Sequence, residues 1–221
     1  MDKTALEEFE RQIFSEDETG WLLSDISKCV DKGANFESVR AICLAIEFLG
    51  SICMGITAEQ EKIIRNQYRF DTFIDRFFKK YRPYKQHLWL VFRNGMTHGF
   101  YPSLSGMVSD KAGGEHLKFD GNNRLIINTH ALLDDFKSAL TNFHQEIQKD
   151  ALLRSNMITR FTTLGDVSHK EQELLDKERH DIPLNPFNHP VPSIISSASL
   201  SPRIASWPSV DGCSGSPKAN T

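Results

Sequence analysis

The 221-residue sequence lacks a long hydrophobic run. Its most apolar stretch, AICLAIEFLGSICMGI at residues 41–56, contains Glu47 and falls short of the roughly 20 apolar residues that a membrane-spanning helix needs. The first residues, MDKTALEEFERQ, include no apolar segment of the kind found in secretory signal peptides. We therefore expect a cytoplasmic protein with no membrane contact, in which residues 41–56 form a core helix.

Cysteine and histidine are sparse and lack the spacing of metal ligands. The four cysteines include no C-x-x-C pair, which favours reduced, buried thiols over disulfides or a zinc site. The histidines near the C-terminus also lack metal-ligand spacing; these are His169, His180 and His189. The glycine-containing segment DKAGGE lacks the strand and helix context of a phosphate-binding loop. We therefore expect no metal and no organic cofactor.

Apolar residues recur at helical spacing through most of the chain. The strongest pattern covers residues 36–56, where two apolar stripes predict a central helix. The sequence TAEQ at 57–60 matches a capping box and predicts a helix that continues to Tyr81. A further long helix is predicted from Thr129 toward Phe161.

Two segments depart from this helical pattern. HLKF-DGNN-RLIIN predicts a small β-hairpin, within an insertion at about 105–128. Residues 167–221 contain seven of the nine prolines and many serines, a composition typical of a disordered tail. The predicted fold class is all-α: residues 1–166 form an up-and-down bundle of four to five helices, with the hairpin inserted before the last long helix.

Acidic residues are missing from one window, although the formal net charge is −3. Between Arg76 and Ser109 there is no Asp or Glu, while basic and aromatic residues alternate. This pattern is typical of a surface that binds a phosphodiester backbone and stacks bases. The predicted substrate-binding residues are Lys79, Lys80, Arg82, Lys85 and Tyr101. In a second interpretation the charges only solvate a helix face and several aromatics belong to the core.

The stretch LWLVFRNGMTHGFYP, residues 88–102, places polar side chains at the end of an apolar helix. Asn94 and His98 are four residues apart and share a face, whereas Arg93 points about 140° away from His98 in a regular helix. Gly99 can take the left-handed conformation that ends many helices. We therefore expect the helix to become irregular at its end, so that Arg93 and His98 converge within one chain or across a twofold dimer.

These side chains are sufficient to cleave RNA without a metal ion. Histidine titrates near neutral pH and can take a proton from a ribose 2′-hydroxyl or give one to a leaving oxygen. Arginine stays cationic and makes a forked contact with phosphate, which stabilises the charge that develops there. We predict Arg93, Asn94 and His98 as catalytic residues, and a 2′,3′-cyclic phosphate as the product end.

The sequence RNGMTH, residues 93–98, resembles the Arg-polar-x3-His signature of HEPN domains (higher eukaryotes and prokaryotes nucleotide-binding). The resemblance implies a four- or five-helix bundle, commonly a homodimer in which the motifs of two subunits form one cleft. Many members are metal-independent endoribonucleases in toxin–antitoxin, phage-defence or RNA-processing systems. A cognate antitoxin or regulatory protein is therefore an expected partner besides RNA.

A second function is compatible with the same residues. A non-catalytic HEPN-like module would bind RNA, a nucleotide or a protein partner, and Arg93 and His98 would then make structural hydrogen bonds at the helix end. Glu47 also has two interpretations. It is either a partner of the motif or a carboxylate that faces the surface or an unrelated hydrogen-bond donor.

Overall fold

The structure, a computed structural model, describes residues 3–15, 17, 20–99 and 101–181. In chain order the α-helices are α1 (Lys3–Phe14), α2 (Leu22–Asp31), α3 (Asn35–Met54), α4 (Ala58–Glu61), α5 (Asn66–Phe77), α6 (Lys85–His87), α7 (Gly95–Gly99), α8 (Thr129–Ile147) and α9 (Ala151–Asp181). A 3₁₀ helix covers Lys79–Tyr84 and a π-helix covers Leu88–Asn94. The strands are β1 (Gly106–Ser109), β2 (Lys118–Phe119) and β3 (Leu125–Asn128). The protein is thus mainly helical, with one small sheet.

Helix α3 lies at the centre of the bundle, as its apolar pattern predicts. The helix packs against α2, α5, α8 and the π-helix, and its main apolar stripe is buried. The second predicted stripe is only partly buried, because Leu44 is exposed and Phe48 is half-buried. Gly50 allows α5 to approach closely, since a Cβ atom there would lie 1.9 Å from the carbonyl oxygen of Arg69.

The single helix predicted from residue 57 to Tyr81 is interrupted in the structure. The capping box is confirmed. The Thr57 side chain accepts a hydrogen bond from the backbone N–H of Gln60, and the Gln60 side chain accepts a hydrogen bond from the backbone N–H of Thr57. However, α4 ends at Glu61 and α5 begins at Asn66. The buried guanidinium of Arg69 donates to the carbonyl oxygens of Glu61 and Ile64, which stabilises the break.

The predicted hairpin is confirmed, but it belongs to a larger sheet. Strand β2 pairs antiparallel with β3, and β1 pairs in parallel with the other edge of β3. Strand β1 was not predicted. Gly106 permits its approach to the π-helix, because a Cβ atom at this position would lie 2.4 Å from Cγ1 of Val91. The sheet therefore packs against the helical stretch that contains the candidate motif.

The predicted last helix is also divided, into α8 and α9. Asp150 accepts hydrogen bonds from the backbone N–H groups of Leu152 and Leu153, at 2.9 and 3.1 Å, and so caps the start of α9. Helix α9 continues to Asp181, past the predicted end of the domain at residue 166. The described residues up to Asp176 form one compact unit. The rest of the predicted tail, 182–221, lies outside the described residues.

Candidate functional site

The motif lies on a helical stretch whose pitch changes. Leu88–Asn94 is π-helical, and the α-helical turn Gly95–Gly99 follows directly. The buried side chains on this stretch are Leu88, Trp89, Val91, Phe92 and Met96. Isolated π-helical turns inside helices occur frequently at functional sites. Here the wider turn contains Arg93 and Asn94, so the angle expected for a regular helix does not apply to them.

The predicted left-handed cap at Gly99 is wrong. Gly99 is the last residue of α7, and its φ angle is not positive, unlike that of Gly33 or Gly55. The irregularity that we expected after His98 instead precedes it. The π-helical turn accommodates an extra residue while the apolar side chains keep their buried positions, so the helix widens before His98 rather than after it.

Arg93 forms a nearly buried ion pair with Glu47 of α3. Its Nε donates to Oε2 of Glu47 at 2.9 Å, and its Nη2 lies 2.7 Å from the same oxygen. The two side chains are only 12% and 13% exposed. Nη1 donates to Oδ1 of Asn94 at 3.1 Å, and the guanidinium carbon lies 4.9 Å from the ring centroid of Trp89. Glu47 is therefore a partner of the motif, and Arg93 is held rigidly.

A buried thiol lies one helical turn before Glu47 on α3. Burial raises the pKa of Cys43 to about 12, although the positive charge of Arg93 acts in the opposite direction. The thiol is therefore protonated at neutral pH, and Cys43 belongs to the hydrophobic core.

His98 is exposed on α7. Within the described residues its imidazole has no hydrogen-bond or ion-pair partner, and no hydrogen bond joins it to Arg93 or Asn94. Thr97, its neighbour, donates instead to the carbonyl oxygen of Arg93. The structure thus brings together Arg93, Asn94 and Glu47 and leaves the imidazole open to solvent on the following turn.

The predicted basic surface is largely neutralised by acids from other elements. Lys80 donates to Asp135 of α8 at 2.7 Å, and Lys85 donates to Asp75 of α5 at 2.8 Å. Arg82 donates to the backbone carbonyl of Asp75. Among the four predicted basic residues, only Lys79 lacks a hydrogen-bond or ion-pair partner in the described part of the chain. The acid-free window in the sequence does not therefore produce an unpaired basic surface.

Tyr101 is the predicted aromatic contact. Its side chain is 68% exposed, and its ring meets that of Phe36 edge to face with the centroids 5.7 Å apart. Most of the Tyr101 side chain is therefore open to solvent, two residues after the end of α7.

Sequence reasoning missed a buried chain of hydrogen bonds. The backbone N–H of Asn128 donates to Nδ1 of His116 at 3.0 Å, so the imidazole proton is assigned to Nε2. Nε2 lies 2.7 Å from the hydroxyl of Tyr81, which donates in turn to Oδ2 of Asp135 at 2.8 Å. Burial lowers the pKa of His116, and burial followed by the charge of Asp135 raises the pKa of Tyr81. No local pattern links these residues, since they come from the 3₁₀ helix, the loop before β2, strand β3 and α8.

Comparison with known proteins returns no match: no family model, no curated protein and no solved structure corresponds to this chain. In the described residues, no three or more His, Cys, Asp or Glu side chains are arranged to hold a metal ion. None of the helices described is long and apolar enough to cross a membrane.

Proposed function

We propose that this protein is a metal-independent endoribonuclease of the HEPN type that acts as a homodimer. The observation that supports the proposal is the combination of a preorganised Arg93 with an exposed His98 on the next helical turn, whose imidazole has no partner among the described residues. Glu47 and Asn94 hold the guanidinium in one orientation, which reduces the entropy lost when a phosphate binds.

The proposed reaction is an attack by the ribose 2′-hydroxyl on the adjacent phosphate. The neutral imidazole of His98 takes the hydroxyl proton, the 2′-oxygen bonds to phosphorus, and the bond from phosphorus to the 5′-oxygen breaks. A protonated His98 from the second copy gives the leaving oxygen its proton. The guanidinium N–H groups of Arg93 that Glu47 does not occupy stabilise charge on the non-bridging oxygens. The products are a 2′,3′-cyclic phosphate and a 5′-hydroxyl.

A second copy completes the site in this proposal. No hydrogen bond joins Arg93 and His98 among the described residues of one chain, and the reaction uses two imidazoles. A twofold interface brings the same surface of two copies together, so that each element contributes twice to one cleft. A cognate antitoxin or regulatory protein stays a prediction from the resemblance.

A non-catalytic binding module is the second candidate. The observation that favours it is the neutralisation of Arg93: Glu47 compensates its charge, and both side chains are almost buried. In this alternative the pair is structural, and RNA or another partner binds to the exposed residues around His98 and Tyr101.

The decisive experiment is RNA cleavage in EDTA by the wild type and by His98→Ala and Arg93→Ala. The proposal predicts wild-type cleavage with cyclic phosphate ends and a loss of at least about 100-fold in each variant. General acid–base catalysis, the role of His98, contributes roughly 10²–10⁴-fold, and a group that stabilises transition-state charge, the role of Arg93, contributes about 10²–10³-fold. His130→Ala is the matched control, because His130 is also exposed and lies on α8.

Two outcomes separate the candidates. RNA binding without cleavage, with an affinity that falls as salt rises, favours the binding module. Wild-type cleavage that persists in folded His98→Ala contradicts the nuclease proposal. Because Arg93→Ala leaves Glu47 unpaired, circular dichroism must show that this variant is folded before its activity is interpreted.

A further inference from the structure

A pocket of about 550 Å³ lies between the 3₁₀ helix Lys79–Tyr84 and α8. Its volume is within the range of sites that bind small molecules. None of Arg93, Asn94 and His98 lines it, so it is separate from the motif.

The hydrogen-bond chain from His116 ends at this pocket. Tyr81 and Lys80 both donate to Oδ2 of Asp135, at 2.8 and 2.7 Å, which holds the carboxylate in one orientation. The Asp135 side chain is 27% exposed, and its other oxygen, Oδ1, accepts no hydrogen bond from any described residue. The pocket therefore offers a fixed acceptor for a donor group of a ligand.

Two lysines supply positive charge and hydrogen-bond donors to the same pocket. Lys79 and Lys149 line the same pocket and are exposed, and neither ammonium group has a partner within the described ranges. The other two cations of the lining are paired: Lys80 with Asp135, and Arg76 with Glu146 and Asp150. Two unpaired ammonium groups suit a dianion, and phosphate oxygens accept strong charge-assisted hydrogen bonds.

We infer that this pocket binds a phosphomonoester that carries hydroxyl groups, with its phosphate at Lys79 and Lys149 and a hydroxyl donating to Oδ1 of Asp135. The inference goes beyond the proposed nuclease function and does not depend on it, because Arg93, Asn94 and His98 take no part. Lys79 is shared with the predicted RNA-binding surface, whereas Lys149 and Asp135 are not.

Isothermal titration calorimetry of the full chain with ribose 5-phosphate, ribose and inorganic phosphate tests this inference. We expect saturable binding of ribose 5-phosphate, at least tenfold weaker binding of phosphate, and no detectable binding of ribose. Lys79→Gln/Lys149→Gln should weaken the binding of ribose 5-phosphate at least tenfold. Lys111→Gln/Lys118→Gln removes the same charge from exposed positions outside the pocket and should leave it unchanged.

Asp135→Asn should reduce the preference for ribose 5-phosphate over phosphate. This substitution also weakens the hydrogen-bond acceptor of buried Tyr81. If Asp135→Asn therefore does not fold, the lysine variants are sufficient to test the inference. Three results overturn the inference: no saturable binding of ribose 5-phosphate at millimolar concentration, equal weakening by the two lysine double variants, or binding of inorganic phosphate that is as tight as that of ribose 5-phosphate.

Discussion

At the scale of single residues, Arg93 and Glu47 depend on one another. Each charge has lost most of its contact with water, so each is compensated chiefly by the other. The same contact gives Arg93 a fixed position and cancels much of its charge. The fixed position supports the proposed nuclease, whereas the compensated charge favours the binding module.

Glu47→Gln should lower the free energy of unfolding by about 2–3 kcal/mol. Breaking a fully buried pair costs roughly 3–5 kcal/mol, and this pair keeps some contact with solvent. In urea denaturation, Glu47→Gln/Arg93→Gln should recover part of the loss, since neither charge is then left unpaired. Glu37→Gln is the control, because its pair with Arg40 on the same helix is far more exposed. Strictly additive effects of the two substitutions would contradict this coupling.

Two partly buried histidines should make stability depend on pH. Burial lowers the pKa values of His116 and His144, so the unfolded chain binds more protons just below its own histidine pKa of about 6.5. Stability should therefore fall as the pH drops from 7 toward 5, by at most about 1.4 kcal/mol per pH unit for each histidine. His116→Gln should reduce this slope in urea denaturation at several pH values, and His130→Gln is the exposed control. If His116→Gln and the wild type show the same slope of unfolding free energy against pH, His116 does not contribute to the pH dependence.

At the scale of elements, the close approach of α3 and α5 should tolerate no side chain at Gly50. Gly50→Ala brings Cβ within 1.9 Å of a backbone oxygen, so α5 must move, and we expect a loss of about 1–3 kcal/mol in thermal or urea unfolding. Gly165→Ala in α9 is the matched control. No atom lies near its Cβ, and alanine is the better helix former by up to about 1 kcal/mol. Equal effects at the two positions would show that the helices are not in close contact.

The helix boundaries show what a local pattern predicts and what it misses. The capping box at Thr57 was predictable because both of its hydrogen bonds lie within four residues. The break between α4 and α5 was not predictable, because Arg69 reaches back from the following helix to the carbonyl groups of Glu61 and Ile64. The break before α9 had a local signal that was overlooked, the capping side chain of Asp150.

At the scale of the whole molecule, acids from α5 and α8 neutralise a basic segment that is far from α8 in sequence. We therefore expect Lys79, which is unpaired among the described residues, to contribute more to RNA binding than Lys85, which is paired with Asp75. In fluorescence anisotropy, Lys79→Gln should lower the affinity for RNA. It should also reduce the slope of log affinity against log salt concentration by about 1, which corresponds to the loss of one phosphate contact. Lys85→Gln should have the smaller effect. The reverse order would mean that Lys85 leaves Asp75 to bind RNA.

The proposed composite site also makes activity depend on assembly. Specific RNA cleavage activity should rise with protein concentration and level off where sedimentation velocity shows a complete dimer. Constant specific activity of a species that sediments as a monomer would place the whole site within one chain. In that case the ribonuclease activity would stand, and the proposed site shared by two copies would be wrong.

The sequence alone determined the helical class, the central position of α3, the hairpin and the residues of the motif, because apolar spacing, turn residues and caps act over a few neighbouring positions. It did not determine the partners of those residues. Glu47 meets Arg93, Asp75 meets Lys85, and Asp135 meets both Lys80 and Tyr81 only after the helices pack. The tertiary structure alone decided these contacts, since charge compensation depends on distance in space rather than on separation along the chain.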